Sequence, residues 1–202
     1  MRIGKPARFL VAMVAFIAGA WVTRQAIDWL RREPSVSSKV VQQPWVTQSF
    51  DAGDYVFEVP WPLQPTSLNL PPGAAESMAS TTVLTHEADG MNIMAMHITL
   101  VPGMSGNLEG AADGSVNNMR TVPGTVSVNG SKHPTTVLGQ PGFDVEARIE
   151  RQRGGPLQLY AVVFGQGSDL YQVQFIAVAD QPAAQATWKK LRDSFRMRGA
   201  KV

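Results

Sequence analysis

From Tyr55 the chain alternates, with Tyr55, Phe57 and Val59 on one side and Val56 and Glu58 on the other, until Pro60 and Pro62 stop it. A period of two bounded by proline predicts a half-buried strand. Pro65, Pro71, Pro72 and Gly73 make 63–76 a loop, and strands are expected at 81–87 and 91–101. The period then changes. Leu108, Ala112, Val116 and Met119 recur at i, i+4, i+8 and i+11 ahead of Pro123 and Gly124, which predicts an amphipathic helix. Short strands are expected at 125–129 and 134–138 around an Asn129-Gly130 turn.

The clearest alternation follows. Phe143, Val145, Ala147 and Ile149 face one way, and Asp144, Glu146, Arg148 and Glu150 the other. Arg153-Gly154-Gly155-Pro156 turns the chain into Leu157 to Phe164, whose apolar character on both sides predicts a central strand. Gly165 to Asp169 turns it again into 170–179, completing an antiparallel meander. Asp180 is placed to cap a closing helix with Pro182 in its first turn and a stripe of Ala184, Trp188, Leu191 and Phe195. Its other side carries Lys189, Lys190, Arg192, Arg196 and Arg198, read as a solvated face complementing the negative end of the helix dipole. The predicted class is α+β, an antiparallel β-sheet with helices packed on it.

Ahead of this domain lies a different kind of segment. Fifteen uncharged residues run from Phe9 to Thr23, preceded by Arg2, Lys5 and Arg8. At about 1.5 Å per residue they cover roughly 22 Å of a ~30 Å hydrocarbon core, so a span needs its flanks. Arg8 and Arg24 can snorkel, and Trp21 and Trp29 suit the interface. Phe9, Leu10, Val11, Val14, Phe16, Ile17, Trp21 and Val22 are therefore the expected membrane-contacting residues. A cleaved signal peptide is the second reading, because Ala18-Gly19-Ala20 is a small-x-small site behind an h-region of suitable length. Either way 1–33 is an N-terminal transmembrane anchor or signal helix, polar and Pro-bounded 34–45 a linker, and 46–202 the folded domain. The expected location is the inner membrane with the domain facing the periplasm or cell exterior, or secretion after cleavage at Ala20.

Charge refines this division. The chain of 202 residues is 44% hydrophobic and 17% charged, which argues against disorder, and it contains no cysteine. Disulfide scaffolds, thiolate metal sites and cysteine nucleophiles are thereby excluded, as is a lipoprotein anchor. The net charge of +2 hides a segregation: residues 1–39 carry +5, residues 40–180 carry −8, and residues 181–202 carry +5. An acidic body repels phosphate, so no nucleic-acid partner is expected.

The strand Tyr55-Val56-Phe57-Glu58-Val59-Pro60, a helix at mid-domain, a three-strand meander and a C-terminal helix with Trp188 and Phe195 together resemble the PsbP/Mog1/DcrB-like domains over about 46–198. The resemblance implies an antiparallel sheet with helices on its faces, serving as a non-enzymatic binding or assembly domain. DcrB-like members are exported, often as lipoproteins; this chain departs from them in lacking the lipobox cysteine.

A search for chemistry returns mostly failed motifs. Gly103-Met104-Ser105-Gly106-Asn107 lacks the last glycine of a nucleophile elbow, and Gly165 to Asp169 puts Ser168 one place late. Gly124 to Lys132 has the wrong spacing for a phosphate loop. His86, His97 and His133 form no local zinc-ligand pair. Asp144, Glu146 and Glu150, with Arg148 between them, share a strand face and read as salt-bridged surface decoration. Met91, Met94, Met96, His97 and Met104 have the donor softness for Cu(I), but on a strand His97 points away from Met94 and Met96, and core packing is the simpler account. No catalytic, cofactor-binding or metal-binding residue is assigned and no cofactor is expected. The expectation is a non-catalytic extracytoplasmic domain, tethered by its N-terminal helix, that binds a protein partner or a hydrophobic peptide. Two alternatives stand beside it: an enzyme whose residues converge only in three dimensions, and a periplasmic copper or small-ligand carrier using 91–104.

Overall fold

The computed structural model describes residues 39–50, 55–67, 75–88 and 90–198. The expected anchor or signal segment and residues 34–38 of the linker lie outside them. Among the described residues, no helix is long and apolar enough to cross a membrane.

The elements run α1 (Lys39–Gln42), β1 (Val46–Ser49), β2 (Tyr55–Val59), β3 (Gln64–Pro65), β4 (Met78–Ala88), β5 (Met91–Leu100), α2 (Leu108–Arg120), β6 (Thr125–Val137), β7 (Gln140–Arg151), β8 (Leu157–Gln166), β9 (Asp169–Val178), α3 (Pro182–Asp193) and β10 (Arg196–Met197). Seven strands form one antiparallel sheet in the order β3-β4-β5-β9-β8-β7-β6, and β1-β2-β10 form a second, smaller sheet. The fold is α+β, as the periodicity predicted, and β7 to β9 make the expected three-strand meander.

Two layers cover the large sheet. On one face Phe164, Tyr171 and Phe175 pack with Phe50, Tyr55 and Phe57 of the small-sheet layer and with Trp188 and Leu191 of α3. On the other face Met94, Met96, Ile98, Leu159 and Ile176 pack beneath Ala111 and Met119 of α2. Strands β5 and β9, at the middle of the sheet, are buried on both faces, which is why they read as nearly continuous apolar runs. Val40 of α1 is fully buried in the first of these cores, so the last part of the expected linker packs against the domain.

Three expectations are corrected. Residues 125–137 form one unbroken strand, and Asn129-Gly130 sits inside it, paired with Arg148 and Ala147 of β7. Gly130 is there for room: a Cβ at that position would lie 2.8 Å from Val116 Cγ1 of α2. The reversal occurs instead at Leu138 and Gly139, both at positive φ (51° and 84°), the geometry of a two-residue hairpin. Asp180 does not cap α3. It takes a positive φ of 61°, Gln181 occupies the cap position without a side-chain bond, and Pro182 holds the first turn. The basic side of the closing helix is only partly a solvated face: α3 ends at Asp193, so Phe195, Arg196 and Arg198 lie beyond it, and Lys189 is exposed while Lys190, Arg192 and Arg196 are half-buried against neighbours.

Candidate functional site

The acidic face of β7 and the basic face of α3 are one site. Register places Asp144, Glu146, Arg148 and Glu150 on the sheet face opposite α2, with Glu146 directly across from Tyr160 of β8. α3 lies over β9 and leaves the β7–β8 part of that face uncovered. The result is an open cleft of about 730 Å³, floored by Asp144, Glu146 and Tyr160 and walled by Gln185, Trp188 and Lys189.

One end of the cleft is fastened by charge. Arg192 Nε donates to Asp144 Oδ1 at 2.8 Å, and its Nη2 donates to Oδ2 at 3.3 Å and to Thr135 Oγ1 at 3.2 Å. This two-pronged bond ties α3 to β7. Lys189 pairs with Asp193 one turn along the helix. Lys190 turns the other way, its Nζ 4.3 Å over the Trp45 ring and donating to the Val41 carbonyl at 3.2 Å. Arg192 and Lys190 thus bind the helix to its neighbours, and Arg196, beyond it on β10, reaches Glu58 of β2 at 3.2 Å. On the floor, Arg148 spans Glu150 and Asp180, each at 2.9 Å.

Glu146 stands apart. It is exposed, and among the described residues it makes no hydrogen bond or ion pair. Tyr160 stacks on Trp188 with ring centroids 5.8 Å apart and planes at 15°. Burial raises the Tyr160 phenol above its ordinary pKa, and the charges of Glu146 and Asp180 push in the same direction, so its hydroxyl remains a hydrogen-bond donor at neutral pH. The cleft thus offers a free carboxylate, a free phenol and the edge of an aromatic pair. The carboxylates and Trp188 were legible in the sequence, and Trp188 is in the core as its stripe predicted, with only its edge reaching the cleft; the carboxylates had been set on an independent surface. Tyr160, inside an apolar run, carried no signal of its own.

The other candidates fall on separate places. Met94 and Met96 are buried on the α2 side, Met91 is buried on the opposite side, and Met104 packs against the α2-side core. His97 is 3% exposed, stacks on Tyr171 at 4.3 Å, and places Nε2 3.0 Å from Asp169 Oδ1. The donor set proposed for Cu(I) is therefore split by the sheet itself. Burial opposes ionisation of Asp169, yet bonds from His97 and Thr99 and the nearby His97 ring hold its carboxyl below the ordinary value. His86 stacks on Trp61 at 5.4 Å, and His133 lies opposite Asp144 on β6. Ser168 is at the tip of the β8–β9 hairpin. Among the described residues, no group of three His, Asp or Glu side chains is arranged to hold a metal ion.

No family model matches the chain, and no curated protein matches it by sequence. Solved structures do. The solution structure of PsbP from the cyanobacterium Synechocystis superposes with a TM-score of 0.54 at 13% identity, covering 76% of this chain and 92% of that one. The crystal structure of LpqN, involved in cell envelope biogenesis of Mycobacterium tuberculosis, gives a TM-score of 0.46 at 12% identity over 81% and 97% of the two chains. The chain has a PsbP/Mog1/DcrB-like fold, as its element order implied.

Proposed function

From this fold and the uncharged, positively flanked segment ahead of it, we propose that the chain is an extracytoplasmic, membrane-tethered binding domain without catalytic activity. The observation that carries the reading is the joining of the two: a leader patterned for export precedes an α+β domain whose open cleft exposes recognition groups and no assembled nucleophile, base and orienting acid. Lys and Arg concentrate at residues 2–8 ahead of the apolar stretch, which favours a cytoplasmic N-terminus and a domain on the far side. Fold alone does not determine a ligand, so the partner is argued from the cleft.

Alkaline phosphatase, which needs an oxidising compartment to fold, tests the placement when fused after Val202. Active enzyme in the membrane fraction is expected, and deletion of residues 1–33 should abolish it. Soluble, inactive fusion would overturn the reading. Amino-terminal sequencing of the recovered protein separates the two fates of the leader: residue 1 or 2 for an anchor, Trp21 for cleavage after Ala20.

A further inference from the structure

The cleft does not stop at Trp188. A second hollow of about 410 Å³, lined by Gln158, Asp180 and Gln181, continues under the first half of α3 and shares Tyr160, Pro182 and Gln185 with the first. Together they follow the full length of α3, whose twelve residues extend about 18 Å at ~1.5 Å per residue. An extended peptide advances about 3.3 Å per residue, so the groove matches five or six residues of it.

The charges select the occupant. Asp144, Glu146, Asp180 and Asp193 line the groove against Lys189 and Arg192. Asp144 is held by Arg192, Asp180 by Arg148 and Asp193 by Lys189. Glu146 is left over, with no such partner among the described residues, and it sits beside the Tyr160 ring that faces it across β7 and β8. A carboxylate next to an aromatic ring is a seat for a cation. The lining itself, four carboxylates against two cations, is net acidic and attracts the same sign of ligand.

We propose that this groove binds an extended, basic segment of a partner protein, with a Lys or Arg side chain seated between Glu146 and Tyr160. The proposal rests on the binding reading above and supplies its ligand chemistry. Pro182 and Ala186, both exposed, with the edge of buried Trp188, give the segment's apolar positions a wall, and the exposed Gln185 amide is available to its backbone. A free small cation would use only the Glu146 end, which is why a peptide is the fitting occupant.

The full chain in detergent micelles is titrated against rhodamine-labelled Val-Lys-Val-Lys-Val-amide and its Glu counterpart, read by fluorescence anisotropy. The lysine peptide should bind, the glutamate peptide should not, and affinity should fall steeply with salt. Glu146→Gln, an exposed and nearly isosteric change, should weaken binding about tenfold, the scale of one lost charge-assisted contact. Glu109→Gln, the same loss of charge on α2 at the opposite face of the sheet, should leave it unchanged. Equal binding of both peptides, indifference to Glu146→Gln, no binding at 1 mM peptide, or equally tight binding of lysine amide alone would each overturn the assignment. The phosphatase fusion does not depend on Glu146, so an inactive fusion removes the extracytoplasmic reading while a silent titration removes only this one.

Discussion

Arg192 and Asp144 lie 48 positions apart in the chain and meet through two bonds, 2.8 and 3.3 Å, that fasten the closing helix to the sheet. Their side chains are 22% and 38% exposed, so water screens the pair. Each of Arg192→Met and Asp144→Asn should lower unfolding stability, and a double-mutant cycle in urea should give a coupling of about 0.5–1 kcal/mol. Strict additivity of the two changes would show that the pair orients the helix without stabilising it.

Gly130 lets α2 approach the sheet. An added Cβ would meet Val116 Cγ1 at 2.8 Å and Ala147 Cβ at 3.2 Å, so Gly130→Ala should cost on the order of 1–3 kcal/mol. Val116→Ala in the same chain should recover part of that loss, because the clash is with a side chain. Gly142→Ala should be worse and not recoverable, since its Cβ would fall 2.4 Å from the Val163 carbonyl oxygen, which is backbone. Thermal denaturation of the three variants ranks them; a harmless Gly142→Ala would contradict the packing described.

The buried polar group beneath α2 behaves asymmetrically. Gln172 Nε2 donates to Ser115 Oγ at 2.8 Å, and Ser115 donates to the Ala111 carbonyl at 3.0 Å. Ser115→Ala strands the Gln172 amide and should cost about 1–3 kcal/mol. Gln174 Nε2 donates to the same Ser115 Oγ at a longer 3.4 Å, but its Oε1 is buried with no protein partner among the described residues, a cost that outweighs the weak bond. Gln174→Met should therefore be neutral or stabilising by up to about 1 kcal/mol in the same denaturation assay.

Acid stability should depend on Asp169. Its carboxyl is held below the ordinary value in the folded state, so its contribution is present above the unfolded pKa of about 3.9 and is lost as pH falls through the lower folded value. Wild type should lose stability more steeply than Asp169→Asn below about pH 4, and the two should run parallel between about pH 6 and 8 on this account. Matching acid limbs would mean that the His97 contact does not favour the ionised form.

Turns and caps were the places where local reading misled. Asn129-Gly130 is the strongest short hairpin signal in the chain, but β6 passes straight through it because the glycine is used to admit Val116. Leu138-Gly139 makes the turn with a leucine at positive φ, a residue with no turn preference. Asp180 looks like a helix cap and instead sits at a left-handed position bonded to Arg148. Half of the cleft was legible as the carboxylates of β7, whereas Tyr160 was hidden in the apolar run of β8.

By itself the sequence determined β2, β4, β5 and β7 to β9, the two main helices, their buried faces and the exclusion of thiol chemistry, because alternation and helical period record which side of each element meets water. It could not determine that β9 lies against β5, that α3 leaves β7 and β8 partly uncovered, or that Arg192 is spent on Asp144 while Glu146 is free. Those depend on register between distant strands and on where a helix comes to rest. Both are set by the packing of the whole core, so the cleft beside Glu146 exists only once the sheet is assembled.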